Sequence, residues 1–328
     1  MTHPTDAQVA AHALAEAAAI GGYAPSICNT QPWQWRLTTD TLELRLAPER
    51  IMQVTDPEAR LATLSCGAAL HHAYVALRAQ GWHATVTRAP RDGDPDVLAR
   101  LQAPDRKPAD PASLRCLRTI PLRHTDRRPI IGTPVAAADL AAIVAAVRAQ
   151  DTELHTLRAD QVLELASAVE HAQRSEAADP AWLAELAAWA GGARPSGSGV
   201  PDAAIPDRAT PTTVPSRDFG RHGDLAVSAG HDTAAVFVML YGRSDDPADW
   251  LRAGEALSAG WLTATDRGVS IVPYSAPIEV IASRQAMRAM IASVGHPYLL
   301  LRLGRTDPAA LLAPHAPRLP VEQIIDRA

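Results

Sequence analysis

The sequence predicts an α+β fold in which mixed β-sheets flanked by helices occur in two tandem halves. Stretches with apolar residues at three- and four-residue steps, typical of helices, alternate with short stretches in which apolar and polar residues alternate, typical of strands. In addition, residues 60–81 align with residues 247–268 at a constant offset, and both stretches end in a glycine followed by a strand pattern. The repeat predicts a long central helix with a strand behind it in each half.

The individual elements follow from local patterns. Apolar residues at helical spacing predict helices over residues 6–20, 57–80, 136–149, 159–174 and 247–267. Alternating or short apolar runs predict strands over residues 33–37, 41–46, 83–87, 233–241, 268–273 and 297–303. Pro25 ends the first helix because proline lacks an amide hydrogen, and Gly81 suits the end of the second. Residues 89–113, rich in proline and aspartate, are predicted to form a connector.

Residues 176–225 are predicted to form a lid. The segment begins with a helical piece that contains Trp182 and Trp189, and it continues through sequence rich in glycine, serine and proline. A compact domain rarely carries so long an irregular segment unless it is a lid or a linker. We therefore expect this segment to pack weakly and to move independently of the rest.

Composition excludes several classes of protein. The chain has 328 residues, of which 47% are hydrophobic, enough for a sizeable core, and its net charge of −5 argues against a general nucleic-acid binder. Three cysteines without metal-ligand spacing predict free thiols in a reducing compartment. No apolar run reaches the ~18 residues of a membrane span, and the N-terminus lacks the basic region of a signal peptide. We expect a cytoplasmic protein with no metal, nucleic-acid or membrane partner.

Residues 24–33, Ala-Pro-Ser-Ile-Cys-Asn-Thr-Gln-Pro-Trp, form a polar loop between a predicted helix and a predicted strand. Asn29 and Gln31 each offer a carbonyl oxygen and an NH2 group, so the pair can match the donors and acceptors on one edge of a flat heterocycle such as a flavin. The pattern A-P-S-x-x-N-x-Q-P-W resembles the signature of FMN-dependent nitroreductases. The resemblance implies a cofactor loop made of Pro25, Ser26, Cys28, Asn29 and Gln31.

A second motif contains Arg123, Thr125 and Arg127. The three residues alternate, so on an extended segment they point to one side and can form a phosphate clamp, although a solvated basic turn fits the same pattern. The R-x-[ST]-x-R arrangement resembles the phosphate-binding start of a nitroreductase subunit. Arg318 likewise resembles a C-terminal basic residue of that family that reaches the phosphate, the alternative being a surface arginine.

Residues 268–276, Gly-Val-Ser-Ile-Val-Pro-Tyr-Ser-Ala, resemble the nitroreductase stretch whose backbone approaches flavin N5. The resemblance adds Tyr274, Ser275 and Ala276 to the cofactor site and implies that the last two lie beside the hydride-accepting atom. A buried strand and turn without a cofactor is the alternative for this stretch.

The two main motifs fall in opposite halves of the chain. In nitroreductases one subunit supplies the arginine clamp and the other supplies the loop, so that FMN lies at a dimer interface. Here each motif occurs once, which resembles the Acg-type nitroreductase-like proteins of actinobacteria. The resemblance implies a fused pseudo-dimer with halves 1–118 and 119–328 and one FMN site. It also implies a monomer, with further homodimerisation left open.

The function implied by this resemblance is an FMN-dependent oxidoreductase that passes hydride from NAD(P)H, through flavin N5, to a nitro compound or a quinone. No catalytic side chain is assigned, because the flavin carries the redox chemistry. A flavin-sequestering protein is the alternative, with Trp182 or Trp189 of the lid closing the flavin face and little or no turnover. A specialised flavin oxidase or dehydrogenase shares the same motifs. The sequence leaves open the physiological acceptor and the choice between NADH and NADPH.

Overall fold

The computed structural model describes residues 6–90, 94, 96–210, 212–228, 230–305 and 315–327. In this part of the chain two β-sheets are flanked by helices, so the predicted α+β class is confirmed. The helices are α1 (Asp6–Gly21), α2 (Arg60–Ala79), α3 (Pro111–Thr119), α4 (Ala137–Arg148), α5 (Ala159–Ala177), α6 (Pro180–Ala188), α7 (Pro247–Asp266), α8 (Ala276–Glu279), α9 (Ile281–Met290) and α10 (Val321–Ile324). The strands are β1 (Trp33–Leu37), β2 (Thr41–Leu46), β3 (Trp82–Arg88), β4 (Val97–Arg106), β5 (Glu153–Thr156), β6 (Val236–Gly242), β7 (Val269–Tyr274), β8 (His296–Arg305) and β9 (Ile325–Arg327).

The first sheet has the strand order β3-β4-β2-β1-β9 and is mixed. Strands β1 and β2 form the predicted antiparallel hairpin, in which Trp33 lies opposite Leu46. The C-terminal strand β9 adds to the edge of β1 in parallel, with Trp35 opposite Ile325. Trp33 and Trp35, which alternate with polar residues in the sequence, are fully buried and pack this face of the sheet into the core.

The second sheet has the strand order β5-β6-β8-β7, and its described pairs are antiparallel. Strand β8 lies between β6 and β7 and is buried over nearly its whole length. Its apolar run is interrupted by Arg302, whose side chain is only 1% exposed. A charge in such a position needs a partner, and the Arg302 guanidinium forms an ion pair with Asp232 at 2.8 Å.

The long helices α2 and α7 pack directly against each other where the repeated sequences predicted matching glycines. A Cβ on Gly67 would overlap the carbonyl of Leu251, and a Cβ on Gly254 would overlap the carbonyl of Leu64. Only glycine therefore allows the two helix backbones to approach so closely. A buried contact of 2.8 Å between His71 Nδ1 and the Ser258 hydroxyl joins the same two helices.

Residues 89–113, predicted to be a connector, contain a strand and the start of a helix. Strand β4 lies there, and its alternate residues Val97, Ala99 and Leu101 are buried between β3 and β2. Helix α3 follows, and its N-terminus is capped by the Asp110 carboxylate, which accepts from the amide of Ser113 at 2.9 Å. Two of the residues that suggested a connector, Asp110 and Pro111, therefore cap and begin a helix.

Residues 176–225 contain α6 and long irregular stretches, as expected for this segment. The prediction that the segment packs weakly is wrong, because Trp182, Leu186 and Phe219 belong to a buried hydrophobic cluster. Its independent movement stays a prediction. We keep the name lid for residues 176–225. No described helix has the length and hydropathy needed to cross a membrane.

Candidate functional site

A cavity of about 1390 Å³, counted with the solvent at its mouth, brings together the motifs from both ends of the sequence. All but one of the predicted binding residues line it: Pro25, Ser26, Cys28, Asn29, Arg123, Thr125, Arg127, Tyr274, Ser275, Ala276 and Arg318. The lid also contributes to the walls, through residues that include Val200, Ala204, Arg217 and Phe219. The exception among the predicted residues is Gln31.

The loop before β1 reaches the cavity in a tightly held conformation. Cys28, Asn29 and Gln31 all have positive φ angles, of 42°, 55° and 54°. The Ser26 hydroxyl accepts from the amide of Gln31 at 3.0 Å, and the amide of Ile27 donates to a serine hydroxyl on α2 at 3.1 Å. Backbone strain of this kind persists only where the surroundings impose it, and it is common at ligand sites.

The side-chain amides of Asn29 and Gln31 already have protein partners. Asn29 Nδ2 donates to the carbonyls of Gly199 at 3.1 Å and Pro317 at 3.0 Å. Gln31 Nε2 donates to the carbonyl of Gly197 at 2.9 Å, and its Oε1 accepts from the amide of Leu319 at 2.9 Å. Gln31 is fully buried and does not line the cavity, and its amide holds the lid and the C-terminal segment. Its match to a flavin edge stays a prediction. For Asn29, which does line the cavity, cofactor contact stays a prediction.

The cavity is strongly cationic. Five arginines line it, and none of its described lining residues is acidic: Arg123, Arg127, Arg217, Arg302 and Arg318. Two of them have carboxylate partners behind the cavity wall, since Arg302 pairs with Asp232 and Arg217 pairs with Glu279 at 2.5 Å. For the other three, the described residues provide no ion-pair partner.

Arg123 and Arg318 form one part of this lining. The Arg123 side chain is 5% exposed, its guanidinium lies 4.6 Å from the centre of the Trp261 ring, and its Nε has no hydrogen-bond partner in the described structure. Burial, together with the charge of Arg318, lowers the pKa of Arg123 to about 9. Burial also lowers the pKa of Arg318 to about 10, and its Nη1 donates to Asn29 Oδ1 at 3.0 Å. Two neighbouring guanidinium groups, one buried and one partly buried, fit a dianion such as a phosphate monoester.

Arg127 lies against the lid. Its Nη1 donates to the carbonyl of Ala204 at 3.0 Å, and its guanidinium lies 5.2 Å from the centre of the Phe219 ring. Burial lowers the pKa of Arg127 to about 10. The third member of the predicted clamp, Thr125, lines the same cavity.

Arg217 was not identified from the sequence, although it links the lid to the predicted N5 stretch. Its Nη2 donates to the Ser275 hydroxyl at 3.0 Å as well as to Glu279. A second carboxyl, that of Glu176, lies beside this pair, and burial raises the pKa of Glu176 to about 8. An arginine within an irregular segment gives no local signal of such a position. Arg302, by contrast, could have been found, because it interrupts the apolar run of β8.

The thiol of Cys28 lines the cavity as a neutral group, and the two lid tryptophans lie outside the cavity lining. Burial raises the pKa of the Cys28 thiol to about 11, so this group stays protonated and is a poor nucleophile at neutral pH. Trp182 and Trp189 do not line the cavity, so the expectation that one of them faces the cofactor is corrected. Trp182 is buried inside the lid, and Phe219 is the lid aromatic that reaches the cavity.

Comparison with known proteins shows close relatives across the length of the chain, although no protein-family profile matches it. "Putative NAD(P)H nitroreductase Rv3131" of Mycobacterium tuberculosis is 36% identical over 306 residues, which cover 92% of this chain and 88% of that protein. "Putative NAD(P)H nitroreductase acg" of the same organism is 32% identical over 326 residues, covering 97% of each chain. Among solved structures, a nitroreductase with bound FMN from Desulfitobacterium hafniense is 10% identical, with a TM-score of 0.40 over 65% of this chain and 98% of that chain.

Proposed function

This chain belongs to the family of the mycobacterial putative NAD(P)H nitroreductases, and we propose that it binds FMN in the cavity and acts as an FMN-dependent oxidoreductase. The observation that supports this most strongly is the pair Arg123 and Arg318. The Arg123 side chain is buried and that of Arg318 is partly buried in a large cavity, and neither has a carboxylate partner within the described residues. Uncompensated buried charge is costly, so the pair is explained best by an anion that binds there.

The residues present fit FMN. A phosphate monoester carries about −1.5 to −2 charges at pH 7 and three acceptor oxygens, which suits Arg123, Arg318 and the hydroxyl of Thr125. The loop around Ser26 and Cys28 and the stretch around Ser275 supply backbone and hydroxyl groups to the same cavity. When bound, the flavin supplies the redox chemistry by taking up and passing on a hydride. The residues of the chain hold the phosphate, orient the ring and limit the access of water.

The finer assignment is a hydride donor of the NAD(P)H type and a nitro compound or quinone as acceptor, with Ser275 and Ala276 beside flavin N5. It is supported by the names of the relatives and by the position of both residues on the cavity wall. No catalytic side chain is required, and the protonated Cys28 thiol agrees with this assignment.

We further propose that residues 1–118 and 119–328 are the two halves of a fused pseudo-dimer with one FMN site. The arrangement is supported by the cavity, which joins the loop of the first half to the arginines of the second. It is also supported by Gly67 and Gly254, which match in the repeat and meet between α2 and α7. A monomer with one FMN follows from this proposal.

A second candidate, flavin sequestration with little turnover, is favoured by the attachment of the lid. Glu185 of the lid accepts from the amides of Val54 at 3.0 Å and Thr55 at 2.8 Å, in the segment before α2. The side-chain amides of Asn29 and Gln31 hold the lid at a second place, through hydrogen bonds to residues 197–199. A lid fastened in this way restricts the entry of a hydride donor.

One experiment separates the two candidates. The FMN-loaded protein is mixed with NADPH without oxygen, and flavin absorbance is followed by stopped flow. Rapid bleaching supports the oxidoreductase. Bleaching by dithionite but not by NADPH or NADH supports sequestration, and a protein that binds no FMN would contradict both.

A further inference from the structure

The lid contacts the C-terminal segment, residues 315–327, at residues 197–199. A Cβ on Gly197 would lie 3.2 Å from the carbonyl oxygen of Arg318 and 3.4 Å from the Cα of Leu319. Gly197 also has a φ of 78°, so glycine suits this position both for its conformation and for the close approach. The same C-terminal segment carries Arg318, which lines the cavity. The lid therefore lies against a segment that belongs to the proposed phosphate site.

Gln31 joins the lid to the C-terminal segment through a single side-chain amide. Its Nε2 donates to the carbonyl of Gly197 in the lid at 2.9 Å, and its Oε1 accepts from the amide of Leu319 in the C-terminal segment at 2.9 Å. The Gln31 side chain is fully buried, and its backbone carbonyl accepts from Arg50 Nη1 at 3.0 Å. The loop thus fixes the position of Gln31, and the two side-chain bonds fix the rotation of its amide.

Asn29 repeats this arrangement two residues earlier. Its Nδ2 donates to the carbonyl of Gly199 in the lid at 3.1 Å and to the carbonyl of Pro317 in the C-terminal segment at 3.0 Å. Its Oδ1 accepts from Arg318 Nη1 at 3.0 Å. Asn29 and Gln31 therefore each make one bond to the lid and at least one bond to the C-terminal segment.

The direction of these hydrogen bonds makes the two contacts depend on each other. A guanidinium and a backbone amide can only donate, so they hold the side-chain oxygens of Asn29 and Gln31 toward the C-terminal segment. With its oxygen fixed, each amide points its NH2 group at a carbonyl of the lid. If the C-terminal segment moves away, both amides are free to rotate, and the lid loses two oriented donors.

The phosphate of FMN would act on this arrangement through Arg318. Arg318 Nε is buried without a hydrogen-bond partner in the described residues, so the guanidinium can bind a phosphate while its Nη1 keeps the bond to Asn29. Arg123, the other arginine of the pair, packs against the Trp261 ring of α7. A phosphate held by both guanidinium groups therefore ties the C-terminal segment to α7 and keeps the amides of Asn29 and Gln31 oriented.

We propose that Asn29 and Gln31 couple the C-terminal segment to the lid, so that the phosphate of FMN fastens the lid over the cavity. The proposal rests on the proposed function, because it requires FMN in this cavity, and it adds a control of access to that site. Riboflavin has the same ring without the phosphate, so it should leave the lid less firmly held. Because coupling is reciprocal, fastening the lid strengthens the binding of FMN by the same factor.

The test is hydrogen exchange of the lid in the purified protein at pH 7, saturated either with FMN or with riboflavin. Mass spectrometry follows peptides that cover residues 189–200, where the Gly199 amide donates to the carbonyl of Asn29 at 3.1 Å. Two hydrogen bonds of ordinary strength predict that exchange is at least about fivefold slower with FMN than with riboflavin. Equal exchange rates in the two complexes would overturn the proposal.

Variants locate the effect. Gln31→Leu is expected to remove most of the difference between FMN and riboflavin, because the lid and the C-terminal segment lose their shared amide. Gln173→Leu is the matched control, because Gln173 Nε2 also donates to a lid carbonyl, that of Ser216 at 2.8 Å, and has no hydrogen bond to the C-terminal segment within the described residues.

The control should keep the difference between the two ligands. If Gln31 had a merely structural role, Gln31→Leu would speed exchange with both ligands and keep the difference, and that result would overturn the assignment. An equal loss of the difference in Gln31→Leu and Gln173→Leu would overturn it as well.

Gln31→Leu leaves the Leu319 amide and the Gly197 carbonyl without their partner, which threatens folding. Arg318→Met is the second variant, because it keeps both bonds of Gln31 and removes the link between the phosphate and the C-terminal segment. At saturation it should show equal exchange with the two ligands, and a retained fivefold difference would overturn the proposal. A wild-type protein that binds no FMN refutes the proposed function itself, whereas one that binds FMN and shows equal exchange with both ligands refutes only this inference.

Discussion

Replacing Arg123 with methionine is expected to stabilise the flavin-free protein and, at the same time, to weaken its affinity for FMN. The Arg123 side chain is 5% exposed and has no carboxylate partner within the described residues. In the flavin-free protein this charge is a cost, and in the loaded protein the phosphate compensates it. The two states should therefore respond to the substitution with opposite signs.

The magnitude follows from the pKa of Arg123. A fall from 12.5 to about 9 means that the folded environment disfavours the charged form by about 4–5 kcal/mol. Because the folded-state pKa of this base lies below the unfolded one, the full penalty applies below pH 9 and declines as the pH rises above it. Methionine keeps the aliphatic chain but loses the contact with the Trp261 ring, which contributes about 1–2 kcal/mol. The net gain at pH 7 is about 3 kcal/mol, or about 5 °C in Tm.

Thermal unfolding of the flavin-free proteins at pH 7 and the Kd values for FMN and riboflavin provide the assay. Arg123→Met should lose about tenfold or more in affinity for FMN and much less for riboflavin, which lacks the phosphate. Arg106→Met is the control, because the Arg106 guanidinium lies 4.0 Å from the centre of the Trp82 ring but outside the cavity. The reasoning is refuted if Arg123→Met lowers the Tm as the control does and weakens both ligands equally.

Three further predictions concern the lid and the helix contact. Burial raises the pKa of Glu176 to about 8, so the protonated carboxyl stabilises the fold fully below pH 4.5, and this stabilisation declines as the pH rises to 8. Glu176→Gln should therefore make the Tm depend less on pH between 4.5 and 8. An unchanged slope of Tm against pH would contradict this prediction. Glu185→Ala removes the acceptor of the Thr55 amide and should speed FMN release, measured by flavin fluorescence, by about fivefold. An unchanged release rate would show that this contact does not hold the lid. Gly67→Ala places a Cβ against the Leu251 carbonyl. It should lower the free energy of unfolding, measured by urea denaturation, by about 2 kcal/mol or more. A loss below about 0.5 kcal/mol would mean that the two helices separate easily.

Much of the fold was accessible from the sequence because its signals are local. The hairpin of β1 and β2 was predicted with its observed bounds, since alternation over a few residues decides which side chains enter the core. All but one of the predicted binding residues line the cavity, because short motifs with fixed spacing carry them. Strand β4 was missed because aspartates and prolines flank it, although Val97, Ala99 and Leu101 are buried by its neighbours in the sheet.

What the sequence did not predict depends on contacts between distant residues. Gln31 has the residue type of a ligand-binding group, but its amide is taken up by Gly197 and Leu319, far away in the chain. Arg217 lies in a segment without periodicity, and only the folded lid brings it to Ser275 and Glu279. Hydrogen bonds of this kind leave no pattern in the local sequence, so they had to be read from the structure.

The most direct test of the central claim is the flavin content of the purified, FMN-saturated protein. One arginine pair, Arg123 and Arg318, and one loop around Ser26 line a single cavity of the described chain. Flavin released by heat and measured by absorbance, together with the protein concentration from amino-acid analysis, gives the stoichiometry. One FMN per chain is the expected result. Two FMN per chain would contradict the single site, and none after saturation with FMN would contradict the assignment of the cavity as a flavin site.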